Sequence, residues 1–157
     1  MKIALGADHR GTEAARALAH HLRARGNEVL DADVCDGTSC DYPDKAFAVA
    51  RAVSSGTADV GVLICGSGIG MSIAANKVHG VRAALVSDAF TAEVSKRHNN
   101  ANVLCLSGDL NSPHEIVTMV NAWLNATFEG GRHQRRLDKV AAIEAGLEPS
   151  SITSAST

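Results

Sequence analysis

The sequence predicts an α/β fold, a single three-layer α/β/α domain of Rossmann-like type built on a five-stranded parallel sheet. Short runs rich in Val, Ile and Leu alternate with amphipathic segments, which is typical of parallel strands joined by helices. The 157 residues suit one domain. Aromatic residues make up only 3% of the chain, so the core must be built from Ala, Val, Ile and Leu, which favour close packing of helices on a sheet.

The first part of the chain begins with an apolar run at residues 2–6, which we predict to be a buried strand. The helix that follows carries one apolar stripe and ends at Gly26, because glycine is common directly after a helix. The stripe consists of Ala14, Ala15, Leu18, Ala19 and Leu22. A second strand is predicted at residues 28–32, and Pro43 then opens a helix over residues 43–55.

The middle of the chain repeats this alternation of strand and helix. An apolar run at residues 60–65 ends in Cys65 and predicts the third strand, followed by a helix at 68–78. A fourth strand is predicted at residues 82–86 and a fourth helix at 88–97. Connections of this kind join parallel strands and cover both faces of the sheet.

The last strand is predicted at residues 102–107, followed by an amphipathic helix at 113–128. The apolar face of that helix consists of Ile116, Val120, Trp123 and Leu124. A final helix at residues 132–145 follows two glycines, which leave it free to project from the domain. We therefore expect a domain at residues 1–146 and a flexible tail, rich in Ser and Thr, at 147–157.

Composition and charge exclude several classes of protein. A net charge of −2 and an isoelectric point near 6.4 argue against nucleic-acid binding, which usually needs a basic surface. No run reaches the roughly 18 apolar residues of a membrane span, and the start lacks the apolar region of a secretory signal. We therefore expect a cytoplasmic protein without a membrane contact, with its four cysteines reduced. Cys35 and Cys40 lack the second ligand pair of a zinc site, and no cluster of His and carboxylate residues is evident, so we expect no metal.

Polar residues follow several predicted strands, where α/β proteins bind ligands. Asp8 and His9 follow the first strand, a glycine-rich loop follows the third, and His98 and Asn99 precede the fifth. Each is also compatible with a packed or solvated residue, although polar neighbours beside both histidines favour a site that holds a sugar.

The glycine-rich loop after Cys65 is the strongest local signal. It feeds a helix, whose first N–H groups can bind an anion and can stabilise a thiolate. Met71 and Ser72 stand where a P-loop has Lys followed by Ser or Thr, the glycine spacing differs from the dinucleotide fingerprint, and the Arg of a cysteine phosphatase is missing. Taken alone, Cys65 also fits a small buried residue at a strand end.

Two arginines at the start of the last helix, Arg132 and Arg136, are four residues apart and share one helical face. His133 lies beside them. Two guanidinium groups near a helix N-terminus could hold a phosphate, and they could equally form a solvated basic face.

Taken together, these residues resemble the type B ribose-5-phosphate isomerases, a family of sugar-phosphate isomerases. The resemblance extends from residue 3 to about residue 145 and is specific as an ordered set of motifs. The motifs are residues 6–11 (GADHRG), 41–43 (DYP), 65–70 (CGSGIG), 74–77 (AANK), 97–99 (RHN) and 129–133 (EGGRH).

The resemblance implies interconversion of ribose 5-phosphate and ribulose 5-phosphate without a metal or cofactor. It also implies a homodimer, or a higher oligomer, whose active sites are shared between subunits. By that match Cys65 is the base that moves the C2 proton. His98 opens the furanose ring, with Asp8 nearby. Ser67 stands where many members have Thr and keeps the hydroxyl, and Met71 stands where one branch has a glutamate base.

The remaining site residues implied by the resemblance contact the substrate. The enediolate would be held by Ser67, Gly66, Gly70 and Asn99. The phosphate would be held by His9, Arg132 and Arg136, with the two arginines reaching the partner's site. Tyr42 would line the sugar, and further substrate contacts would come from Gly68, Ser72 and His133.

Three alternatives stay open at this point. The substrate could be a hexose 6-phosphate such as that of allose or galactose, the chain could be a phosphosugar-binding module without activity, or it could be a cysteine hydrolase. A thiol at a helix start together with His98 favours an enzyme, because a simple binding module has no use for them. Isomerisation needs a base at C2, donors for the enediolate oxygen and a phosphate anchor, all of which the sequence offers.

Overall fold

The computed structural model describes residues 1–36 and 38–152 and contains five strands that alternate with helices. The strands are β1 (Lys2–Ala7), β2 (Glu28–Val34), β3 (Val60–Cys65), β4 (Ala83–Leu85) and β5 (Val103–Ser107). The helices are α1 (Thr12–Ala24), α2 (Tyr42–Ser54), α3 (Ile69–Ala75), α4 (Ala89–Asn99), α5 (Pro113–Asn125) and α6 (Arg132–Glu144). A single 3₁₀ turn, Pro149–Ser151, follows α6.

The five strands form one sheet in the order β2-β1-β3-β5-β4, and every pairing in it is parallel. The predicted α/β fold with a five-stranded parallel sheet is thereby confirmed. β3 is the central strand, and its six residues are all buried because helices cover both faces of the sheet. Cys65 is the last residue of this central strand, so it lies at the carboxyl edge of the sheet.

Two apolar clusters lie on opposite faces of the sheet. On one face, α1 and α5 pack on side chains such as Leu5, Ile64 and Leu106. On the other face, α2 and α3 pack on side chains such as Leu63 and Cys105, and Cys65 belongs to this cluster. Small residues of α1 and α2 let the helices approach the strands closely, which agrees with the low aromatic content.

The last helix contributes little to either cluster, as the prediction of a projecting C-terminal helix requires. In α6 only His133 and Ala142 are buried, and the helix contacts α4 and the 3₁₀ turn. The predicted end of α5 at residue 128 is wrong, because that helix ends at Asn125 and an irregular segment leads to α6. The predicted flexible tail at residues 147–157 includes the 3₁₀ turn. Its last part, residues 153–157, lies outside the described residues.

The expectation that all cysteines are reduced does not hold for one pair. Cys35 and Cys40 form a disulfide across a short loop after β2, with their Cα atoms 6.6 Å apart, within the range that a disulfide spans. Cys65 and Cys105 are free and buried. Among the described residues, no helix is both long and apolar enough to cross a membrane.

Candidate active site

The Cys65 thiol lies where β3 turns into α3. Its Sγ atom accepts a hydrogen bond from the Gly68 N–H at 3.1 Å, and only 4% of the residue is exposed. The neighbouring thiol of Cys105 is unsuited to reaction, because burial, and secondly the nearby Cys65, raises its pKa well above the usual range. Of the two free thiols, Cys65 is therefore the better candidate for a reactive group.

The loop between β3 and α3 needs glycine at two positions for different reasons. Gly68 has a φ of +74°, a conformation that few other residues adopt. At Gly70 a Cβ atom would lie 2.6 Å from the Tyr42 ring, so glycine permits the tyrosine to pack on the loop. Tyr42 thereby lies against the segment that we predict to bind the enediolate.

Backbone donors of this loop are left for a ligand, and those of Ser67 and Gly70 are among them. Ser67 and Gly70 have N–H groups with no acceptor among the described residues, and both residues are at least partly exposed. The Ser67 hydroxyl accepts from the Ile69 N–H at 3.3 Å, which fixes the side chain beside the thiol loop. Free N–H groups beside a nucleophilic or basic side chain are the arrangement that stabilises an oxyanion.

The loop after β5 holds the thiol loop in place through contacts that the sequence did not suggest. Ser107 donates its hydroxyl to the Gly66 carbonyl at 2.5 Å, and the Gly108 N–H donates to the Cys65 carbonyl at 2.8 Å. Asp109 binds Arg10 through both carboxylate oxygens, at 2.9 and 2.8 Å from Nε. This pair covers Gly66, where a Cβ atom would meet Asp109 at 2.9 Å, and it raises the pKa of Arg10 chiefly through the hydrogen bond.

Asp8 and His9 lie at the same edge of the sheet, directly after β1. Asp8 is 7% exposed, and its Oδ1 accepts from the backbone N–H groups of Arg10 at 2.9 Å and Gly11 at 3.2 Å. The Asp8 side chain therefore shapes the turn after β1. His9 is exposed beside it, in a position to meet a ligand.

Two further predicted residues, His98 and His133, form a second group around Glu129. The rings of His98 and His133 are stacked, with centroids 4.2 Å apart and planes 6° from parallel. Oε2 of Glu129 lies 3.7 Å from His98 Nε2 and 3.5 Å from His133 Nε2. The group joins the end of α4 to the start of α6, where the Glu129 N–H also donates to the Arg97 carbonyl at 3.0 Å.

Charge in this second group is arranged around the Glu129 carboxylate. Arg97 binds Oε1 of Glu129 with Nε at 2.7 Å, and this hydrogen bond lowers the pKa of the carboxyl and raises that of the guanidinium. His133 is buried, and burial, followed by the neighbouring His98, lowers its pKa. Arg132 Nε lies 3.5 Å from the same ring.

The two groups lie at opposite edges of the sheet, which the sequence interpretation did not anticipate. Helix α4 begins after the carboxyl end of β4 and runs back about 16 Å, at 1.5 Å per residue, to the edge where β5 starts. Asn102, next to the start of β5, donates its N–H to the Arg82 carbonyl just before β4 at 3.1 Å. We call the β3–α3 loop with Asp8 and His9 the Cys65 group, and His98, Glu129 and His133 the His98 group. Within the described chain no hydrogen bond, ion pair or ring contact joins these two groups.

The remaining predicted residues divide between these places. Asn99 lines a cavity of about 490 Å³ between α6 and the β4 side of the sheet, away from Cys65. Arg136 is exposed on α6, near enough to His133 to lower the pKa of that ring. The Ser72 hydroxyl donates to the Ala83 carbonyl at 3.4 Å, so in the single chain it bonds the sheet edge.

Three candidate functional residues are not identified by the sequence analysis: Ser107, Asp109 and Glu129. Ser107 and Asp109 could have been found, because they follow a strand at the same edge as Cys65. Glu129 lies in a motif that the sequence analysis quoted, but its role depends on three partners brought together by the fold. The expectation that no His and carboxylate cluster exists is wrong for the same reason.

Comparison with known proteins gives a consistent result over nearly the whole chain. Residues 3–140 match the model of the Ribose/Galactose Isomerase family. The chain is 44% identical to ribose-5-phosphate isomerase B of Escherichia coli K12, over 91% of this chain and 96% of that protein. Two solved structures are also similar. One is ribose-5-phosphate isomerase B from Clostridium thermocellum, with a TM-score of 0.89, 44% identity, and 93% and 99% of the two chains covered. The other is the Mycoplasma genitalium protein with bound ribulose-5-phosphate, with a TM-score of 0.86, 42% identity, and 92% and 96% covered.

Proposed function

The chain belongs to the ribose/galactose isomerase family, and from this premise we propose that it interconverts ribose 5-phosphate and ribulose 5-phosphate by proton transfer, without a metal ion. It is an isomerase, as its similarity to the ribose-5-phosphate isomerases B requires. The observation that carries the proposed mechanism is the Cys65 thiol, held at a strand end beside backbone N–H groups that have no acceptor among the described residues.

Cys65 acts as the base at C2. The thiolate removes the C2 proton of the open-chain aldose, which leaves an enediolate. A proton then passes from O2 to O1, and the thiol returns its proton to C1 to give the ketose. General base catalysis of this kind is worth about 10²–10⁴ in rate. The hydrogen bond from the Gly68 N–H to the sulfur, at 3.1 Å, holds the sulfur in position beside the loop.

The enediolate oxygen is stabilised by the loop that follows Cys65. The N–H groups of Ser67 and Gly70 face no described acceptor, and the Ser67 hydroxyl lies next to them. Arg10 and Asp109 brace the loop from outside, so these donors keep their positions while charge develops. Tyr42 packs on Gly70 and forms one wall for the sugar.

His98 opens the sugar ring, a step that needs a proton for the ring oxygen and loss of a proton from the anomeric hydroxyl. Arg132 and Arg136 hold the phosphate, and His9 contributes from the other group. Because the two groups lie at opposite sheet edges of one chain, a complete site needs two chains. A homodimer supplies them if the His98 group of one subunit meets the Cys65 group of the other.

Exposed apolar side chains indicate which face forms the dimer. Ile69 and Ile73 lie four residues apart on α3 and are 53% and 59% exposed. Leu85 ends the edge strand β4, and Phe90, 71% exposed, lies in the first turn of α4. A twofold axis perpendicular to the strands would reverse the strand direction of the partner, and the amino edge of one sheet would then meet the carboxyl edge of the other. Apolar residues concentrated at a sheet edge are typical of such interfaces.

A panel of sugar phosphates tests the proposed reaction. We expect isomerisation of ribose 5-phosphate to be fastest, with the 6-phosphates of allose and galactose much slower, and EDTA to leave the rate unchanged. Product formation is followed by the ketose assay and by exchange of the C2 proton in deuterium oxide. Loss of activity in EDTA that returns with metal would contradict the proton-transfer route, and a faster hexose phosphate would reassign the substrate.

The role of His98 predicts a difference between cyclic and linear substrates. We expect His98→Asn to slow turnover of ribose 5-phosphate more than turnover of a short aldose phosphate that cannot close a ring. The reason is that only ring opening needs the imidazole, whereas the C2 step uses Cys65. The measurement is kcat for both substrates in both proteins, with His79→Asn, an exposed histidine paired to Glu144 at 3.7 Å, as the control. Equal losses on both substrates would remove His98 from ring opening.

A further inference from the structure

The disulfide between Cys35 and Cys40 lies beside the candidate active site, and the proposed reaction does not use it. Cys35 directly follows β2, and Cys40 lies two residues before Tyr42, the first residue of α2. The Tyr42 ring packs on Gly70 of the thiol loop. The covalent bond therefore links the edge of the sheet to the helix start that carries one wall of the site.

Cys35 is firmly held on its side of the bond. Its N–H donates to the Ala7 carbonyl at 3.1 Å, and its carbonyl accepts from the Thr12 hydroxyl at 3.3 Å. The same hydroxyl lies 3.0 Å from the Asp8 carbonyl oxygen. Cys35 is only 6% exposed. This half of the disulfide thus belongs to the turn that also shapes the Cys65 group.

Cys40 and the start of α2 are held less firmly. Within the described part of the chain, Cys40 takes part in no hydrogen bond, and Asp41 makes no side-chain hydrogen bond that caps the helix. Tyr42 is 42% exposed, whereas Ala46 and Val49, one and two turns later, are fully buried. Packing therefore fixes the body of α2, and the disulfide is the covalent tie next to its first turn.

The bond is accessible to a thiol from solution. Cys40 is partly exposed, and its neighbours Thr38 and Ser39 are exposed. Exposed disulfides are generally the labile ones, and a bond that closes a loop of a few residues stabilises a fold less than one that closes a long loop. We therefore expect reduction to open this bond without unfolding the domain.

We propose that the disulfide between Cys35 and Cys40 is a redox-sensitive site that a small dithiol opens, and that reduction releases Tyr42 from the thiol loop and weakens sugar-phosphate binding. A thiolate of the dithiol attacks Sγ of Cys40, the more exposed sulfur, and the S–S bond breaks as Cys35 leaves as a thiolate. The second thiolate of the dithiol then attacks the mixed disulfide, which releases Cys40 as a thiolate and leaves the reagent as a cyclic disulfide. Both cysteines take up a proton from water, so the chain gains two electrons and two protons.

Thiol counting and NMR test whether the bond opens and whether Tyr42 is released. The full-length protein contains four cysteines and a single tyrosine. Alkylation of the denatured protein, measured by mass spectrometry, should modify two cysteines before treatment with dithiothreitol and four after it. In protein labelled with fluorotyrosine, reduction should shift or broaden the one ¹⁹F signal, and oxidised glutathione should restore it.

The double variant Cys35→Ser, Cys40→Ser is the matched control. It should give the ¹⁹F signal of the reduced protein and no response to dithiothreitol, and thermal unfolding shows whether it is folded. Cys65→Ser should keep the wild-type response, because Cys65 lies outside the bond. The proposal is overturned if all four cysteines of wild-type protein treated with oxidised glutathione are alkylated, or if full reduction leaves the ¹⁹F signal unchanged.

Calorimetric titration with ribose 5-phosphate tests the effect on binding, which rests on the proposed function, whereas opening of the bond does not. We expect reduction to raise the dissociation constant about threefold to tenfold, because the substrate must then order Tyr42 as it binds. The double variant should bind as weakly as the reduced wild-type protein, with or without dithiothreitol. Equal affinity of both forms would show that the link to the substrate is wrong. If neither form binds ribose 5-phosphate, the proposed function fails, and the thiol counts and the ¹⁹F signal still decide whether the bond opens.

Discussion

Replacement of Cys65 by alanine is expected to lower kcat for ribose 5-phosphate about 10²–10⁴-fold, the usual contribution of general base catalysis. Substrate affinity should change little, because binding depends mainly on the phosphate contacts of the other group. The thiol is 4% exposed at the end of the central strand, and alanine at this position removes the base without removing a backbone donor. The measurements are kcat, and ribose 5-phosphate binding by calorimetry.

Cys105→Ala is the matched control for this experiment. Cys105 lies on the neighbouring strand β5, opposite Leu63, and is fully buried with a raised pKa. We expect that variant to lose some stability through the small cavity and to keep its turnover once folded. If Cys65→Ala turned over at a rate close to wild type, Cys65 could not be the base, and the role of the loop would have to be reassigned.

The second prediction with a large effect is the recovery of activity in a mixed dimer. Arg136→Ala should raise KM about tenfold or more, because a charge-assisted contact to phosphate is lost. If each site takes Cys65 from one subunit and Arg136 from the other, a heterodimer of Cys65→Ala with Arg136→Ala subunits has both substitutions in one site. Its other site then has neither. The purified heterodimer, carrying two different tags, should then retain about half of the wild-type activity at low substrate concentration, while both parents are poor.

A heterodimer of Cys65→Ala with Ser67→Ala subunits is the control for this complementation. Both lesions belong to the group at the carboxyl edge of the sheet, so each site retains one of them and activity should stay low. The sharing of sites is disproved if the Cys65→Ala, Arg136→Ala pair also stays at the level of its parents. In that case each arginine would serve the chain that carries it.

The fold could be predicted from the sequence because the strands are apolar runs with clear limits. The predicted limits of β3 agree with the structure to the residue, and those of the other strands differ from it by at most two residues. The end of α5 was placed three residues too late, since residues 126–128 could continue a helix by their own propensity. The structure instead ends the helix there so that Glu129 can bond the Arg97 backbone.

The arrangement of the candidate site residues could be predicted only in part from the sequence. Residues after β1 and β3 lie together, as the rule for parallel sheets requires. His98 was grouped with them, although the direction of α4 carries it to the opposite edge. The burial of His133, the convergence on Glu129 and the disulfide between Cys35 and Cys40 depend on contacts between distant segments, which no local pattern reports.

The position of Cys65 on the central strand has a consequence for how the molecule moves. Central strands open only when the whole domain unfolds, whereas peripheral helices with few buried residues open locally at low free energy. The thiol is fixed by β3 and its neighbours, while α6, with only His133 and Ala142 buried, carries the arginines that we propose to bind phosphate. In the proposed mechanism, chemistry therefore occurs on the stiffest part of the domain, and capture and release of substrate take place on a part that can fluctuate without disturbing the reacting atoms.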